Sequence, residues 1–98
     1  MSTETRVPLG QVVMTPGVEQ LLFDGTLTVE GLMGRLRRHE GGDWGALSEE
    51  DRRANDAALA NGDRLVSAYP VGDAPRPQLW IITEADRTVT TALLPEEY

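Results

Sequence analysis

The segment WIITEADRTVTTALLPEEY, residues 80–98, decides the fold, because it has the pattern of two strands joined by a short charged turn. β-Branched and aromatic residues favour strands, and EADR (84–87) supplies the turn. The first of these strands extends back to residue 78, and a similar segment, RLVSAY (64–69), lies ahead of it. The sequence therefore predicts a three-stranded antiparallel meander in the C-terminal part of the chain.

Alternation along the last two strands predicts which residues share each face of the sheet. The prediction assumes that Glu84 pairs with Arg87 across the turn. The more apolar face is expected to pack on the helices and consists of Trp80, Ile82, Val89, Thr91 and Leu93. The threonine-rich face is expected to be half exposed or to contact a partner and consists of Leu79, Ile81, Thr83, Thr88, Thr90 and Ala92.

Two helical segments follow a short strand predicted in VPLGQVVM (7–14). The first is TPGVEQLLF (15–23), in which Thr15 and Pro16 suit a helix start. The second is TLTVEGLMGRLRRHE (26–40), which Thr26 or Thr28 can cap. Its apolar stripe at helical spacing consists of Val29, Leu32, Met33 and Leu36.

A third helix is predicted in LSEEDRRANDAALANG (47–62), from a Ser48 cap to a stop at Gly62. Its buried face is expected to be mostly alanine and consists of Ala54, Ala57, Ala58 and Leu59. The predicted fold class is therefore α+β, with two to three short helices packed on one face of an antiparallel sheet built mainly from the meander.

Size and charge restrict the classes of function. The 98 residues form a single domain, 1–98, in which residues 1–6 are expected to be disordered. There is no cysteine, no long apolar run and no apolar signal-peptide core, which predicts a cytoplasmic protein with no membrane contact. The net charge of −7 argues against direct nucleic-acid binding and is compatible with a basic protein partner. The oligomeric state is left open.

The segment RHEGGDWG (38–45) holds the first candidate site. His39 could act as a general base that is oriented by the carboxylate of Asp43. Alternatively, His39 caps the end of a helix, Asp43 bonds the amides of the glycine turn, and Trp44 fills the core. The residue types alone are compatible with both interpretations.

The tip of the hairpin, EADR (84–87), holds the second candidate site. In one interpretation Glu84 and Arg87 form a weak ion pair across the turn, and Asp86 is a turn residue. In the other, the tip meets His39 and Asp43 in space, so that His39, Asp43, Glu84 and Arg87 are the candidate catalytic residues of a small hydrolase or nuclease.

The third candidate site lies on the predicted third helix. Asp51 and Asn55 are one helical turn apart, and with Asp43 or Glu84 they could hold a divalent cation. Alternatively, Asp51 caps the helix and Asn55 tethers a loop. No metal is predicted, because the spacing of so few residues does not identify a metal site. No cofactor is predicted, because phosphate-loop and dinucleotide motifs are absent, and there is no nucleophile elbow either. The candidate binding residues are Trp44, Asp51, Asn55 and Asp86.

Four segments together carry a family resemblance: RHEGGDWG, EEDRRANDAAL, GDRLVSAY and the terminal WIITEADRTVTTALLPEEY. The chain resembles, from Leu9 to Tyr98, a family of small bacterial proteins of plasmids and other mobile elements. Its members are called plasmid-related proteins and are often labelled type I restriction endonuclease subunit M. The chain is too short for the sheet of a methyltransferase, so the resemblance implies a genetic setting and no particular activity.

These observations favour a small acidic, non-enzymatic interaction protein of a mobile element. Such a protein could act as an anti-defence inhibitor that binds a host restriction or CRISPR complex, which is itself a nucleic-acid-binding assembly. One alternative is a small hydrolase or nuclease that uses His39, Asp43 and Glu84. Another is a regulatory binding module whose contact surface is the threonine-rich face or an edge of the sheet.

Overall fold

The computed structural model describes residues 6–74 and 76–98 and has the predicted α+β class. Its strands are Gln11–Met14 (β1), Leu65–Pro70 (β2), Gln78–Thr83 (β3) and Val89–Leu93 (β4). Its helices are Pro16–Phe23 (α1), Val29–Glu40 (α2) and Glu49–Asn61 (α3), and a single 3₁₀ turn follows β4 at Pro95–Glu97. The disorder expected for residues 1–6 falls outside the described residues except at Arg6, whose backbone N–H donates to the carbonyl oxygen of Glu40 at 2.9 Å.

The sheet has the strand order β1-β4-β3-β2, and β2, β3 and β4 form the predicted antiparallel meander. The expectation of an antiparallel sheet is wrong at one edge, where β1 pairs with β4 in parallel and Gln11 lies opposite Val89. Parallel pairing requires a long connection between the two strands. Here that connection comprises all three helices and the other two strands, and local sequence patterns do not reveal such a distant pairing.

The assignment of the two sheet faces is also wrong. Leu79, Ile81 and Ala92 are fully buried and pack with apolar side chains of the helices, including Leu32 and Leu36 of α2. The threonine-rich face therefore forms the main core. It can do so because its buried threonines, Thr83 and Thr90, are hydrogen-bonded to each other. Their burial therefore leaves no polar group without a partner.

Two of the predicted helix caps form, whereas Thr15 makes no side-chain cap bond to α1 and donates its hydroxyl to Glu97 instead, and two helix faces also differ from the prediction. Thr28 and Ser48 cap α2 and α3 by accepting backbone N–H bonds. In α2, Leu32, Leu36 and His39 are buried, but Val29 and Met33 are 65% and 45% exposed. In α3, Ala54 and Ala57 are exposed, and the face that contacts the sheet consists of Asn55, Ala58 and Leu59. None of the helices in the described part of the chain is long and apolar enough to cross a membrane.

Candidate functional site

His39 is completely buried between α2 and the sheet, at 0% exposure. Its Nδ1 lies 2.5 Å from the hydroxyl of Ser67, and its Nε2 lies 2.8 Å from the hydroxyl of Thr83. The hydroxyl of Thr83 lies 2.7 Å from that of Thr90, which in turn donates to the carbonyl oxygen of Leu9 at 2.7 Å. The ring of His39 therefore belongs to a hydrogen-bonded chain that runs through the core.

The bonds that run from His39 to Leu9 have a fixed direction. The hydroxyl hydrogen of Thr90 is used on Leu9, so the hydroxyl of Thr83 must donate to Thr90. Thr83 then accepts from Nε2–H of His39. In a neutral ring with its hydrogen on Nε2, Nδ1 accepts from Ser67, so both ring nitrogens are occupied.

Burial, and after it the positive charge of Arg87, lowers the pKa of His39 to about 4. The ring is therefore neutral at physiological pH, which contradicts its predicted role as a charged helix cap. No hydrogen bond connects it to Asp43 or Glu84 among the described residues. With both nitrogens occupied and no exposed surface, His39 is not placed to take a proton from a substrate.

Asp43 is not part of this series of hydrogen bonds. Its side chain holds the glycine turn GGDWG (41–45) in shape. Its carboxylate forms an ion pair with Arg38 at 2.8 Å and accepts the backbone N–H of Gly45 at 3.1 Å. These bonds, the one to Arg38 first, hold the pKa of Asp43 below its usual value. The hydroxyl of Tyr69 donates to the carbonyl oxygen of Asp43 at 2.6 Å, and burial raises the pKa of Tyr69 to about 12. The partners of Asp43 thus belong to the turn and its supports.

Trp44 fills the core next to His39, as one of the two interpretations predicted. It is 5% exposed, its ring meets the His39 ring edge-on with centroids 5.7 Å apart, and its indole N–H donates to Asp56 at 2.9 Å. A ligand in contact with the Trp44 ring would have to enter the core, so Trp44 is not an accessible binding residue.

The predicted ion pair between Glu84 and Arg87 does not form. Arg87 has a φ of +62°, and its guanidinium donates to the carbonyl oxygens of Asp63 at 2.7 Å and Glu84 at 3.1 Å. Its charge is thus directed to main-chain oxygens. Asp86 accepts from the backbone N–H and the hydroxyl of Thr88, which closes the turn. The tip of the hairpin is held together by its own bonds.

The structure therefore does not assemble the predicted catalytic cluster. The side chains of His39, Asp43 and Arg87 bond to different groups, and within the described residues the Glu84 carboxylate bonds to none of the three. Within residues 6–74 and 76–98, no group of three or more histidine, aspartate or glutamate side chains is arranged to hold a metal ion. The predicted polar pocket is therefore not assembled by the described residues, and the Asn55 amide of the predicted cation site is bonded to the backbone of Val66.

The side chain of Asn55 bonds to the outer edge of β2, the edge that pairs with no other described strand. Its side-chain amide donates to the carbonyl oxygen of Val66 at 2.7 Å, and its side-chain oxygen accepts the N–H of Val66 at 3.1 Å. The next outward-facing residue, Ala68, bonds to Trp44 and Ala46 of the glycine turn. The guanidinium of Arg35 covers the carbonyl oxygen of Pro70. The outer edge of β2 is therefore closed along its length.

Replacing Asn55 with alanine is expected to lower the free energy of unfolding by about 2 kcal/mol, because a backbone donor and acceptor at a part-buried site lose their partners. Urea denaturation followed by circular dichroism measures this change. Asn61→Ala is the matched control, because Asn61 lies at the exposed end of the same helix. Equal losses in the two variants would contradict the edge-closing role.

An open groove lies between α3 and the sheet face opposite the main core. Its volume is about 290 Å³, and it is lined by Leu47, Asp51, Ala54, Asn55, Val66 and Trp80. The Trp80 ring is supported from one side by Tyr98, with ring centroids 5.6 Å apart at 64°, and Arg64 donates to the hydroxyl of Tyr98 at 2.8 Å. The groove thus has a fixed aromatic wall.

Asp51 supplies the charge of this groove. It is exposed in the first turn of α3, and its carboxylate has no hydrogen-bond or ion-pair partner in the part of the chain that the structure describes. The other walls are apolar or, at Asn55, already hydrogen-bonded. An aromatic ring, aliphatic walls and one free carboxylate are together suited to a cation with an apolar stem.

Two of the four predicted binding residues, Asp51 and Asn55, therefore line this groove, while Trp44 and Asp86 do not. Trp80 was predicted on the core face, and Leu47 and Val66 were not predicted as binding residues. A signal for Trp80 was present, since tryptophan is enriched at protein interfaces. No family model, curated protein or solved structure matches this chain.

Proposed function

We propose that this protein is a non-enzymatic binding module that takes an arginine side chain of a basic partner protein into the groove between α3 and Trp80. The observation that carries the proposal is the free carboxylate of Asp51 on the rim of a groove with an aromatic wall. Arginine matches this groove because its planar guanidinium can pair with a carboxylate and stack on an aromatic ring, while its stem contacts apolar side chains.

The charge of the whole chain supports a basic partner. A net charge of −7 favours encounter with a positively charged surface and disfavours nucleic acid itself. Basic surfaces rich in arginine are typical of proteins that bind nucleic acid. The partner we propose is accordingly a nucleic-acid-binding protein. The module binds the partner's arginine-rich surface where the phosphate backbone of the nucleic acid otherwise binds.

The resemblance to proteins of plasmids and other mobile elements supports a particular setting for this activity. In this proposal the partner is a component of a host restriction or CRISPR complex, and binding protects the mobile element. The hydrolase or nuclease alternative lacks support from the site, because His39 is sealed in the core and its predicted partners lie elsewhere.

A peptide-display selection on the immobilised protein tests the binding chemistry. Enriched peptides are expected to share an arginine, and Asp51→Asn is expected to weaken their binding about tenfold, which corresponds to the loss of one charge-assisted bond. Ala54→Arg is expected to abolish binding, because it fills the groove beside Asp51. Fluorescence anisotropy with labelled peptides measures both effects.

Ala60→Arg is the matched control for this experiment. It adds the same charge to an exposed alanine of α3 that does not line the groove, so binding should change less than about twofold. Enriched peptides without arginine, or equal binding by Asp51→Asn, would contradict the proposal. The defence setting is tested separately by plating phage on a restricting host. If the wild-type protein gives no protection there, the inhibitor role fails while the binding chemistry stands.

A further inference from the structure

The outer edge of β1 presents unpaired backbone groups. Gln11 and Thr15 donate their N–H groups to Thr88 and Ala92 of the β4 segment, at 2.9 and 3.1 Å. Backbone groups alternate in direction along a strand, so the N–H and C=O groups of Val12 and Met14 point away from β4. Because β1 is the last strand in the order β1-β4-β3-β2, no described strand lies beyond it.

The two edges of the sheet differ in their protection. On β2, the side chains of Asn55 and Arg35 and the backbone of the glycine turn bond to the outward groups at Val66, Pro70 and Ala68. On β1, no such bond occurs within the described residues. Unprotected edges are sites at which another strand can add.

The chemistry around β1 identifies the strand that would add. Residues 7–18 contain no charged side chain, in a chain whose net charge is −7. Val12, Val13 and Met14 are 40%, 37% and 37% exposed. Two copies of this acidic chain repel each other through their negative charges, and the repulsion is weakest where the uncharged segments 7–18 meet. A strongly charged partner has no opposite charge to pair with at this segment.

We propose that β1 is the interface of a homodimer in which two copies of β1 pair antiparallel across a two-fold axis. The axis passes between the two copies of Val13. Val12 then lies opposite Met14 of the second copy, and each such pair exchanges two N–H···O=C bonds. The two four-stranded sheets become one continuous sheet of eight strands.

The neighbours of β1 limit this pairing to four residues. Gly10, at a φ of +63°, turns the chain against Thr88 before the strand, and α1 starts at Pro16 after it. The outward row therefore holds only Val12 and Met14, so the two copies share about four backbone hydrogen bonds, and the dimer is expected to be concentration-dependent.

Sedimentation velocity across a range of protein concentrations tests this interface. The wild-type protein is expected to shift from monomer to dimer, and Val13→Lys is expected to raise the dissociation constant about tenfold or more, because it places two ammonium groups opposite each other at the axis. Val29→Lys is the matched control, since it makes the same replacement at an exposed apolar position of α2. It should leave the dissociation constant unchanged.

Hydrogen exchange gives a second and independent measurement. The amides of Val12 and Met14 should be protected only at concentrations where the dimer forms, while the amide of Val13, which faces β4, should be protected in both states. Val12→Pro removes only an outward donor and should also weaken the dimer. A monomer at every concentration, a dimer that persists in Val13→Lys, or one that is lost in Val29→Lys would each overturn the proposal.

Discussion

Replacement of Gly45 with alanine is expected to lower the free energy of unfolding by about 4 kcal/mol, a large fraction of the stability of a small domain. Gly45 has a φ of +75°, and an added Cβ would lie 2.0 Å from the carbonyl oxygen of Ala68. The methyl group must therefore break the bridge between the glycine turn and β2. Its two bonds join Ala46 and Trp44 to Ala68 at 2.7 and 3.2 Å.

The expected loss in the free energy of unfolding of Gly45→Ala combines two separate effects. A left-handed φ costs an alanine roughly 1 kcal/mol, and each lost backbone bond at a buried edge costs about 1–3 kcal/mol. Urea denaturation measures the total. Gly62→Ala separates the effects, because Gly62 has a φ of +76° and no atom within 4 Å of an added Cβ. If Gly45→Ala were no more destabilising than Gly62→Ala, the close contact with Ala68 would not limit this position.

Lowering the pH from 7.5 to 5 is expected to destabilise the fold by about 2 kcal/mol through His39 alone. The pKa of His39 is about 4 in the folded protein, against 6.5 as the reference value. Below pH 6.5 the unfolded chain therefore binds a proton that the folded protein excludes, and stability falls with decreasing pH until both states are protonated below about pH 4. Urea denaturation at a series of pH values measures this slope.

His39→Gln is the control for this titration. The variant loses stability at pH 7.5 because the hydrogen-bonded chain is interrupted, but its stability should be nearly constant between pH 7.5 and pH 5.5. Asp43, whose pKa is lowered by Arg38, contributes in the same direction but at lower pH, because its stabilisation is present above its unfolded pKa and is lost as the pH falls below about 4. A slope of equal size in His39→Gln above pH 5.5 would show that another group causes it.

Local signals were sufficient to predict most of the elements. The caps at Thr28 and Ser48 and the strands of the meander depend on interactions between residues close in sequence, so their chemistry is visible in a single chain. The parallel position of β1 was not predicted, because it depends on a partner strand at the other end of the described chain. Periodicity carries no information about such pairings.

The errors in the sheet faces and in the face of α3 share one physical cause, which is that polar side chains were assigned to the surface. Thr83, Thr90 and His39 are all 0% exposed because they satisfy one another. Asn55 replaces the expected alanine face of α3 because the edge of β2 requires a donor and an acceptor. Hydrogen-bond partners that are distant in sequence decide these burials, so counting apolar residues cannot predict them.

The candidate site was less predictable than the fold. Asp51 and Asn55 were identified from their spacing on one helix face, which is a local property. The groove itself also needs Trp80, and the position of Trp80 depends on which sheet face meets the helices. Once that face was assigned wrongly, the aromatic wall could not be predicted.

The pairing of β1 with β4 has a consequence for how the protein is made. A ribosome synthesises Gln11 long before Val89, its partner in the sheet. Until β4 emerges, the uncharged segment around β1 has no place to dock, and contacts between such distant residues form slowly. The nascent chain therefore exposes β1 until β4 has emerged, and closure of this edge of the sheet waits for that strand.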